Sequence, residues 1–279
     1  MDTLVAAVIL GIVQGLTEFL PVSSSGHLII VPYLLGPYLP GMTDPFITSL
    51  EFSVMLHVGT LIALLVYFRA DWLRLVPAFF AAVRHRSLAG DPDRRLAVLL
   101  AVATAPALVL GFLLHDLEDS IRKAGPVAVT LVIGAVILWL AERTGSRRRV
   151  ALDLSVPQAL AIGGAQALAL IPGISRSGIS ISAGLFAGLQ RDEAARFSFL
   201  MATPITAAAA AYEGLKAVRG EGIAIQAGPM AAGLLASFVF GMLAIGVLLR
   251  FLRTRSTDVF VAYRLVLAAI VLIVWLNVG

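Results

Sequence analysis

The sequence of 279 residues contains no cysteine. This absence excludes disulfide bonds, thiolate metal sites and cysteine nucleophiles. Charge is also scarce, since only 14% of the residues are Asp, Glu, Lys or Arg, whereas 59% are hydrophobic and the mean hydropathy is +0.94. A water-soluble domain needs more charge than this to cover its surface, so the composition predicts a protein whose solvent is lipid.

Other familiar patterns are missing as well. No Walker, Rossmann or zinc-ligand motif occurs, which argues against an ATP-driven pump. The apolar run Leu4–Val13 lacks the basic start and cleavage site of a signal peptide, so we expect the mature chain to start at Met1. The net charge is +4, but the basic run Arg147–Arg149 is better explained as a topology signal or a lipid-headgroup contact than as a nucleic-acid patch. We therefore expect the membrane, and no nucleic acid, as a partner.

Apolar segments recur along the whole sequence. Two of them, Leu4–Leu35 and Val156–Leu189, are interrupted by polar stretches, and we interpret each as a re-entrant pair of half-length helices. The remaining segments are long enough to cross a bilayer, which takes roughly 20 helical residues, fewer when the ends can snorkel. The predicted fold is an all-α polytopic membrane protein with six transmembrane helices and two re-entrant helix pairs. The six predicted spans are Phe52–Phe68, Leu96–Leu114, Gly125–Ala141, Phe197–Tyr212, Met230–Leu249 and Val259–Val278.

The distribution of basic residues supports the re-entrant interpretation. With two re-entrant pairs, fifteen arginines fall on one side and only Arg122, Lys123, Lys216 and Arg219 on the other. Arginine-rich loops mark the cytoplasmic face, so both termini are expected outside. In the alternative, one broken segment simply spans the membrane, which would flip every later loop and scatter the arginines.

The two halves of the sequence resemble each other. Residues 11–26 align with 163–178, and both halves then continue with a Phe-Ser helix and two more spans. We therefore divide one membrane domain into a first repeat, 1–150, and a second, 151–279. Each repeat has three full spans, an odd number, so the second is expected upside down relative to the first. In such inverted-topology repeats, broken helices meet near the middle of the membrane and form the substrate site.

The two breaks have the sequence features of an anion site. Pro21 and the pair Pro172-Gly173 end the first half-helices, and Gly26 and Gly178 permit tight turns. Each following helix presents free N–H groups and the positive end of its dipole at the break. Clustered serines add hydroxyl donors, and one guanidinium suits phosphate oxygens. We expect an oxyanion ligand, most naturally phosphate.

The first break also carries groups that could do chemistry. Gln14 and Glu18 are four residues apart and share a helix face. Glu18 could hold a divalent cation or carry a proton, and charged residues at this depth are usually functional. Ser24 and His27 are one helical turn apart, close enough for a base to activate a hydroxyl. A purely structural role for His27 remains the alternative.

Structural explanations also remain open for other polar residues. Ser23 and Ser25 could each bond only to the backbone, and Arg176 could form only a structural ion pair with Glu18. In the middle of a span, His57 is expected to make a structural hydrogen bond.

Arg264 lies one turn into the last predicted span. Its long side chain could reach the cytoplasmic interface while its aliphatic part stays in the apolar region. We therefore expect it to snorkel rather than to take part in a site.

Segments 14–27 and 172–180 closely resemble the two signatures of the bacterial undecaprenyl-diphosphate phosphatase family, also called bacitracin-resistance proteins. The resemblance covers essentially the whole chain, including Phe-Ser-Phe-Leu at 197–200 and Tyr263-Arg264. It implies hydrolysis of undecaprenyl diphosphate to the monophosphate and inorganic phosphate, which recycles the lipid carrier for cell-wall polymers. It further implies a polyprenyl diphosphate lipid as partner, a divalent cation such as Mg²⁺ or Ca²⁺, and an active site on the periplasmic side of the bacterial plasma membrane. A homodimer is one option for the assembly.

The resemblance also implies roles for individual residues. Glu18 and Gln14 match the family's acidic pair and implied metal ligands, Ser24 its proposed nucleophile, and His27 the acid–base partner. Two positions depart from the commonest pattern: Gln14 replaces a frequent Glu, which puts tight metal binding in doubt, and Ser180 stands where Thr is usual. The other implied site residues are the catalytic Arg176 and the substrate-binding Ser23, Ser25, Gly26, Gly173, Ser175, Ser177, Gly178 and Ser180.

A lipid-phosphate flippase or an ion-coupled transporter would also suit inverted repeats. The feature that separates these classes is the Ser24 and His27 pair, because a transporter needs binding groups but no nucleophile. In the hydrolase hypothesis, Ser24 attacks the terminal phosphorus or positions a water that does so. A purely structural scaffold is a poor match to the charges of Glu18 and Arg176 in the middle of apolar segments.

Overall fold

The structure is a computed structural model and describes residues 2–88, 90–113, 123–219 and 226–278. Within these ranges the chain is helical, with short 3₁₀ turns and no β-strand. The helices are α1 (Asp2–Phe19), α2 (Ser24–Leu35), α3 (Pro45–Thr48), α4 (Leu50–Tyr67), α5 (Arg69–His85), α6 (Pro92–Leu113), α7 (Ala124–Thr144), α8 (Val156–Ala167), α9 (Arg176–Phe186), α10 (Arg191–Val218), α11 (Ala227–Leu252) and α12 (Asp258–Val278).

The structure confirms an all-α polytopic membrane protein. Seven helices in the described ranges are long and apolar enough to cross a membrane: α1, α4, α6, α7, α10, α11 and α12. Six of them match the six predicted spans, although α4 ends at Tyr67, one residue before the predicted end at Phe68. The seventh, α1, belongs to the segment that was predicted to form the first re-entrant pair. The inverted repeat stays a prediction. Leu114, the last residue of a predicted span, and Arg122 lie outside the described residues.

Both breaks lie where the sequence predicts them. α1 ends at Phe19 and α2 begins at Ser24. In the second half, α8 gives way to a 3₁₀ turn, Leu168–Leu170, and α9 begins at Arg176. Proline supplies no N–H and clashes with the preceding turn, which explains why neither helix continues through its break.

Close helix packing fixes the first break against the rest of the protein. α1 lies along α11, its most extensive helix contact, and α11 also packs on α4. Gly15 of α1 permits this approach, because a Cβ at that position would lie 2.6 Å from the carbonyl oxygen of Ser237. Gly59 of α4 has the same relation to the carbonyl oxygen of Leu234, at 2.6 Å. Small residues at such interfaces let backbones approach closely, and here they hold the end of α1 in the interior.

Helices α3 and α5 have no counterpart among the predicted elements. Residues 69–85 lie between two predicted spans, and the structure forms α5 there. This helix joins α4 to α6 and packs on α6. Its apolar residues Trp72, Leu75, Phe79 and Ala82 recur every three or four residues, which is typical of a helix that turns one face to the core.

Candidate active site

The two breaks share one backbone geometry. Ser23 has φ 76° and ψ 92°, and Ser175 has φ 76° and ψ 116°. Side-chain-bearing residues rarely adopt a positive φ, and residues that do so cluster at functional sites. Each serine caps the helix that follows, since its Oγ accepts the backbone N–H of Gly26 at 3.2 Å or of Gly178 at 3.0 Å. The same local sequence, Ser-x-Ser-Gly, thus produces the same turn twice.

The outer serines of each break are also paired. Ser23 Oγ lies 3.4 Å from Ser25 Oγ, and Ser175 Oγ lies 3.2 Å from Ser177 Oγ. Ser177 additionally donates to the carbonyl oxygen of Leu20 at 3.0 Å, which joins the second break to the first. These serines therefore bond within each break and between the two breaks. Ser23 and Ser25 contact each other through their side chains, so the alternative that they bond only to the backbone does not hold.

Glu18 is the centre of the polar cluster. Its carboxylate is buried and accepts hydrogen bonds from Gln14 Nε2 at 2.9 Å, from Ser24 Oγ at 2.6 Å and from Arg176. His57 Nε2 lies 3.3 Å from the same carboxylate. The prediction that Gln14 and Glu18 share a helix face is confirmed. Four side chains from four different helices converge on one acid.

Arg176 connects the two halves of the chain. Its guanidinium donates to Glu18 and, at 2.5 Å, to Thr206 Oγ1 of α10. Both charges are largely withdrawn from water, and an unpaired charge at such a position would be strongly destabilising. The ion pair between Arg176 and Glu18, which was one alternative from the sequence, is present in the structure. It places a guanidinium beside a carboxylate and the Ser24 hydroxyl.

A small cleft borders this cluster. Ser198 lies in its wall and bonds to Ser180, Oγ to Oγ, at 2.5 Å. Ser180 also donates to the carbonyl oxygen of Arg176 at 2.6 Å, so its hydroxyl supports the backbone at the start of α9. The cleft is lined by Glu18, Phe19, Arg176, Ser177, Ser198, Phe199 and Ala202.

His27 does not pair with Ser24. Its Nδ1 lies 2.7 Å from the carbonyl oxygen of Ser23, and its Nε2 lies 2.7 Å from the hydroxyl of Tyr263. A carbonyl oxygen only accepts, so Nδ1 carries a proton, and in the neutral imidazole Nε2 therefore accepts from the Tyr263 hydroxyl. The two rings stack with centroids 5.6 Å apart. Ser24 and His27 are one turn apart on α2, but their side chains point in different directions. Ser24 bonds to Glu18, and His27 contacts Tyr263 of α12.

The prediction for Arg264 is wrong. Its side chain is fully buried, at 0% exposure, instead of reaching the cytoplasmic interface. The guanidinium donates to the carbonyl oxygens of Gly173 at 2.7 Å, Ile174 at 2.9 Å, Leu131 at 3.2 Å and Pro21 at 3.4 Å. Helix breaks leave carbonyls without helical partners, which in an apolar interior need other donors. Arg264 supplies them to both breaks at once.

Several residues around the cluster were missed by the sequence analysis. His57 does make the expected structural bond, with Nδ1 2.7 Å from the carbonyl oxygen of Ser53, but its other nitrogen reaches Glu18. Thr206 and Tyr263 hold Arg176 and His27 from distant helices. The only sequence signal was a polar residue inside an apolar span, which does not tell which neighbour it meets.

The cluster offers limited support for a metal ion. Within the described ranges, no group of three or more His, Asp or Glu side chains is placed to hold one. Gln14 and Glu18 do supply oxygen donors, and Gln14 Oε1 is buried with no hydrogen-bond partner, while Nε2 of the same amide faces Glu18. Two protein oxygens fit a hard divalent cation that takes its other ligands from phosphate and water.

Comparison with known proteins gives matches over nearly the full length. A sequence profile of the family described as "Bacitracin resistance protein BacA" matches residues 7–270. The chain is 45% identical over 273 residues to the undecaprenyl-diphosphatase of Rubrobacter xylanophilus, covering 97% of this chain and 98% of that protein. It is 43% identical over 266 residues to the protein of the same name in Gemmatimonas aurantiaca, covering 95% of each. The undecaprenyl-diphosphatase of Desulforudis audaxviator is 43% identical over 273 residues, covering 98% of each.

Proposed function

Because the chain belongs to the bacitracin resistance protein BacA family, we propose that it hydrolyses undecaprenyl diphosphate to undecaprenyl phosphate and inorganic phosphate. This membrane phosphatase recycles the lipid carrier of cell-wall synthesis and thereby gives bacitracin resistance. The observation in the molecule that supports this best is the meeting of Ser24 and Arg176 on the Glu18 carboxylate. A hydroxyl, an acid and a phosphate-binding cation are the groups that phosphoryl transfer from a diphosphate needs.

Binding starts with an exchange of partners at Arg176. The diphosphate enters between the two breaks, where the N-termini of α2 and α9 present backbone N–H groups. Arg176 turns its planar donors from Glu18 to the phosphate oxygens, a pairing that is frequently bidentate. Thr206 keeps the guanidinium in place during this exchange. The carboxylate of Glu18 is then left facing the Ser24 hydroxyl.

Glu18 is the group best placed to receive the proton of the nucleophile. Ser24 already donates to it at 2.6 Å, within the range required of a general base. Ser24 Oγ forms a bond to the terminal phosphorus, the bond from that phosphorus to the bridging oxygen breaks, and undecaprenyl phosphate leaves. Water then cleaves the phosphoserine and releases inorganic phosphate. In the direct route, a water held by Ser24 attacks in its place and gives the same products.

His27 is the second acid–base group of the site. Its Nε2 accepts the Tyr263 hydroxyl, so a proton can pass between the two. A divalent cation, Mg²⁺ or Ca²⁺, would be held by Glu18 and Gln14 and would neutralise part of the diphosphate charge.

The location follows from the same features. The isoprenoid tail lies against the lipid-facing surface of the bundle, and the site opens on the side opposite the arginine-rich loops. By the positive-inside rule this is the periplasmic side of the bacterial plasma membrane. A homodimer is compatible with this proposal but is not needed for the site, because Glu18, Ser24, His27 and Arg176 all come from one chain.

Phosphate release from a short prenyl diphosphate by the purified protein in detergent tests the proposal. We expect release by the native protein, a decrease on adding chelator, and near-complete loss in Glu18→Ala and Arg176→Ala. Arg143→Ala, which removes only an exposed ion pair with Asp258, is the matched control and should stay active. Full activity of both site variants, or lipid-phosphate transport without any phosphate release, would contradict the assignment.

A further inference from the structure

Helix α5 carries two apolar faces. Trp72, Leu75 and Phe79 pack on the hydrophobic core, and Leu75 and Ala82 are buried. A second line of apolar residues lies beside this face, at a spacing of three, four and three residues, and is largely uncovered. We name it the α5 stripe; its members are Leu73, Val76, Phe80 and Val83, exposed by 77%, 46%, 66% and 60%.

The α5 stripe does not belong to a membrane-spanning helix. α5 is not among the helices that are apolar enough to cross a membrane. It has Arg69, Asp71 and Arg74 near its start and Arg84 and His85 in its last turn. A helix with one apolar face and a charged opposite face lies in the plane of a membrane, with the apolar side at the boundary between headgroups and acyl chains.

Ion pairs hold α5 at the ends of spanning helices. Asp71 accepts from Arg196 of α10 at 2.5 Å and from Arg74 at 2.7 Å. Arg74 also donates to Asp93, in the first turn of α6, at 2.8 Å. α5 follows directly on α4, whose last turns expose Leu65 and Val66. The α5 stripe therefore continues the lipid-facing surface of the spans at its edge.

The charges around the stripe indicate which lipid it meets. Arg69, Arg84 and Arg86 are exposed at the two ends of the helix, on the arginine-rich side of the protein. Asp71, the acid of the helix, is already occupied by two arginines. Exposed arginines at a membrane surface attract anionic headgroups.

We propose that α5 is a membrane-surface helix that binds anionic phospholipids of the arginine-rich leaflet. The α5 stripe lies among the first acyl carbons, and the arginines at its ends contact the headgroups. The proposal does not depend on the reaction that the protein catalyses.

The lack of native cysteine makes the test direct. Single variants Phe80→Cys and Val83→Cys place an environment-sensitive fluorophore on the α5 stripe, and His85→Cys places it on the charged face as the matched control. Each protein is reconstituted into vesicles of phosphatidylglycerol and phosphatidylcholine. Quenchers are a nitroxide near the headgroup, carried by one lipid or the other, and iodide in water. A melting temperature close to that of the native protein reports that each variant is folded, and Leu73→Cys replaces any variant that is not.

We expect the stripe labels to be quenched by the lipid nitroxide about threefold more strongly than the His85 label, and by iodide less strongly. Quenching should be about twofold greater when phosphatidylglycerol carries the nitroxide. Strong iodide quenching at the stripe would overturn the proposal. Protection from both quenchers that increases with protein density would also overturn it, in favour of a second copy. Equal quenching by the two lipids would contradict the anionic preference.

Discussion

The two helix breaks differ in their side chains although their backbones are nearly the same. In each, a serine with φ 76° caps the next helix through a glycine N–H. The residue that follows is Ser24 in the first break and Arg176 in the second, and both bond to Glu18. One repeated turn thus brings a hydroxyl from one side and a cation from the other to a single carboxylate. The two breaks share their backbone geometry, and the difference between Ser24 and Arg176 determines which groups reach Glu18.

The residues before the two breaks also differ between the halves. Gln14 bonds to Glu18 four residues later. Gln166 occupies the aligned position in the second half, but Leu170 follows it in place of an acid. Gln166 is buried, and neither of its amide atoms has a hydrogen-bond partner among the described residues. The carboxylate is therefore needed only once, and Gln166 is expected to contribute nothing to the reaction.

The largest expected effect follows from removing the shared acid. Glu18→Gln keeps the size of the side chain but takes away the proton acceptor of Ser24 and the counter-charge of Arg176. We expect kcat/KM for phosphate release to fall by about a thousandfold. Glu51→Gln, in the first turn of α4, is the control and should remain active. If Glu18→Gln kept most of its activity, the two breaks would not act through a common carboxylate.

The second-largest effect separates the planar shape of the Arg176 guanidinium from its charge. In Arg176→Lys, a single ammonium cannot bond to Glu18, Thr206 and phosphate with the geometry of a guanidinium. We expect about a hundredfold loss of kcat/KM, mainly as a higher KM. Thr206→Val, which removes only one support of Arg176, should give a smaller loss in the same direction. A Lys variant with native KM would show that charge alone suffices at the second break.

A smaller effect is expected at the contact that the first break makes with α12. Tyr263→Phe removes the hydroxyl that donates to His27 Nε2 but keeps the stacked ring. Because His27 then lacks its proton partner, kcat should fall by about tenfold while KM changes little. Steady-state kinetics of the purified variant measure this. An unchanged kcat would remove His27 and Tyr263 from the proton path.

The smallest effect on activity is expected at Gln166, and it sharpens the comparison between the halves. Gln166→Leu should leave phosphate release unchanged and should raise the melting temperature, because an unsatisfied buried amide costs about 1–3 kcal/mol. The matched change Gln14→Leu should reduce activity, since Gln14 contacts Glu18 directly. Equal losses in the two variants would mean that both halves carry catalytic polar groups.

Much of the fold could be predicted from the sequence because the signals are local. Apolar length predicts the spans, and Pro, Ser and Gly predict the breaks. Arg264 could not be assigned in this way, because its partners are carbonyls that converge only when the two breaks meet. The contact of His57 with Glu18 likewise depends on how α4 packs beside α1. Helix α5 has a local signal as well, since its apolar residues recur at helical spacing between the charged ones.

We propose that Ser24 and Arg176, one from each break, act together on one diphosphate through Glu18. A double-mutant cycle on kcat/KM for phosphate release, with Ser24→Ala, Arg176→Lys and the double variant, measures this coupling. We expect both single variants to be impaired and the double variant to lose much less activity than the product of the two single losses. Losses that multiply in full, or a fully active Ser24→Ala, would contradict it.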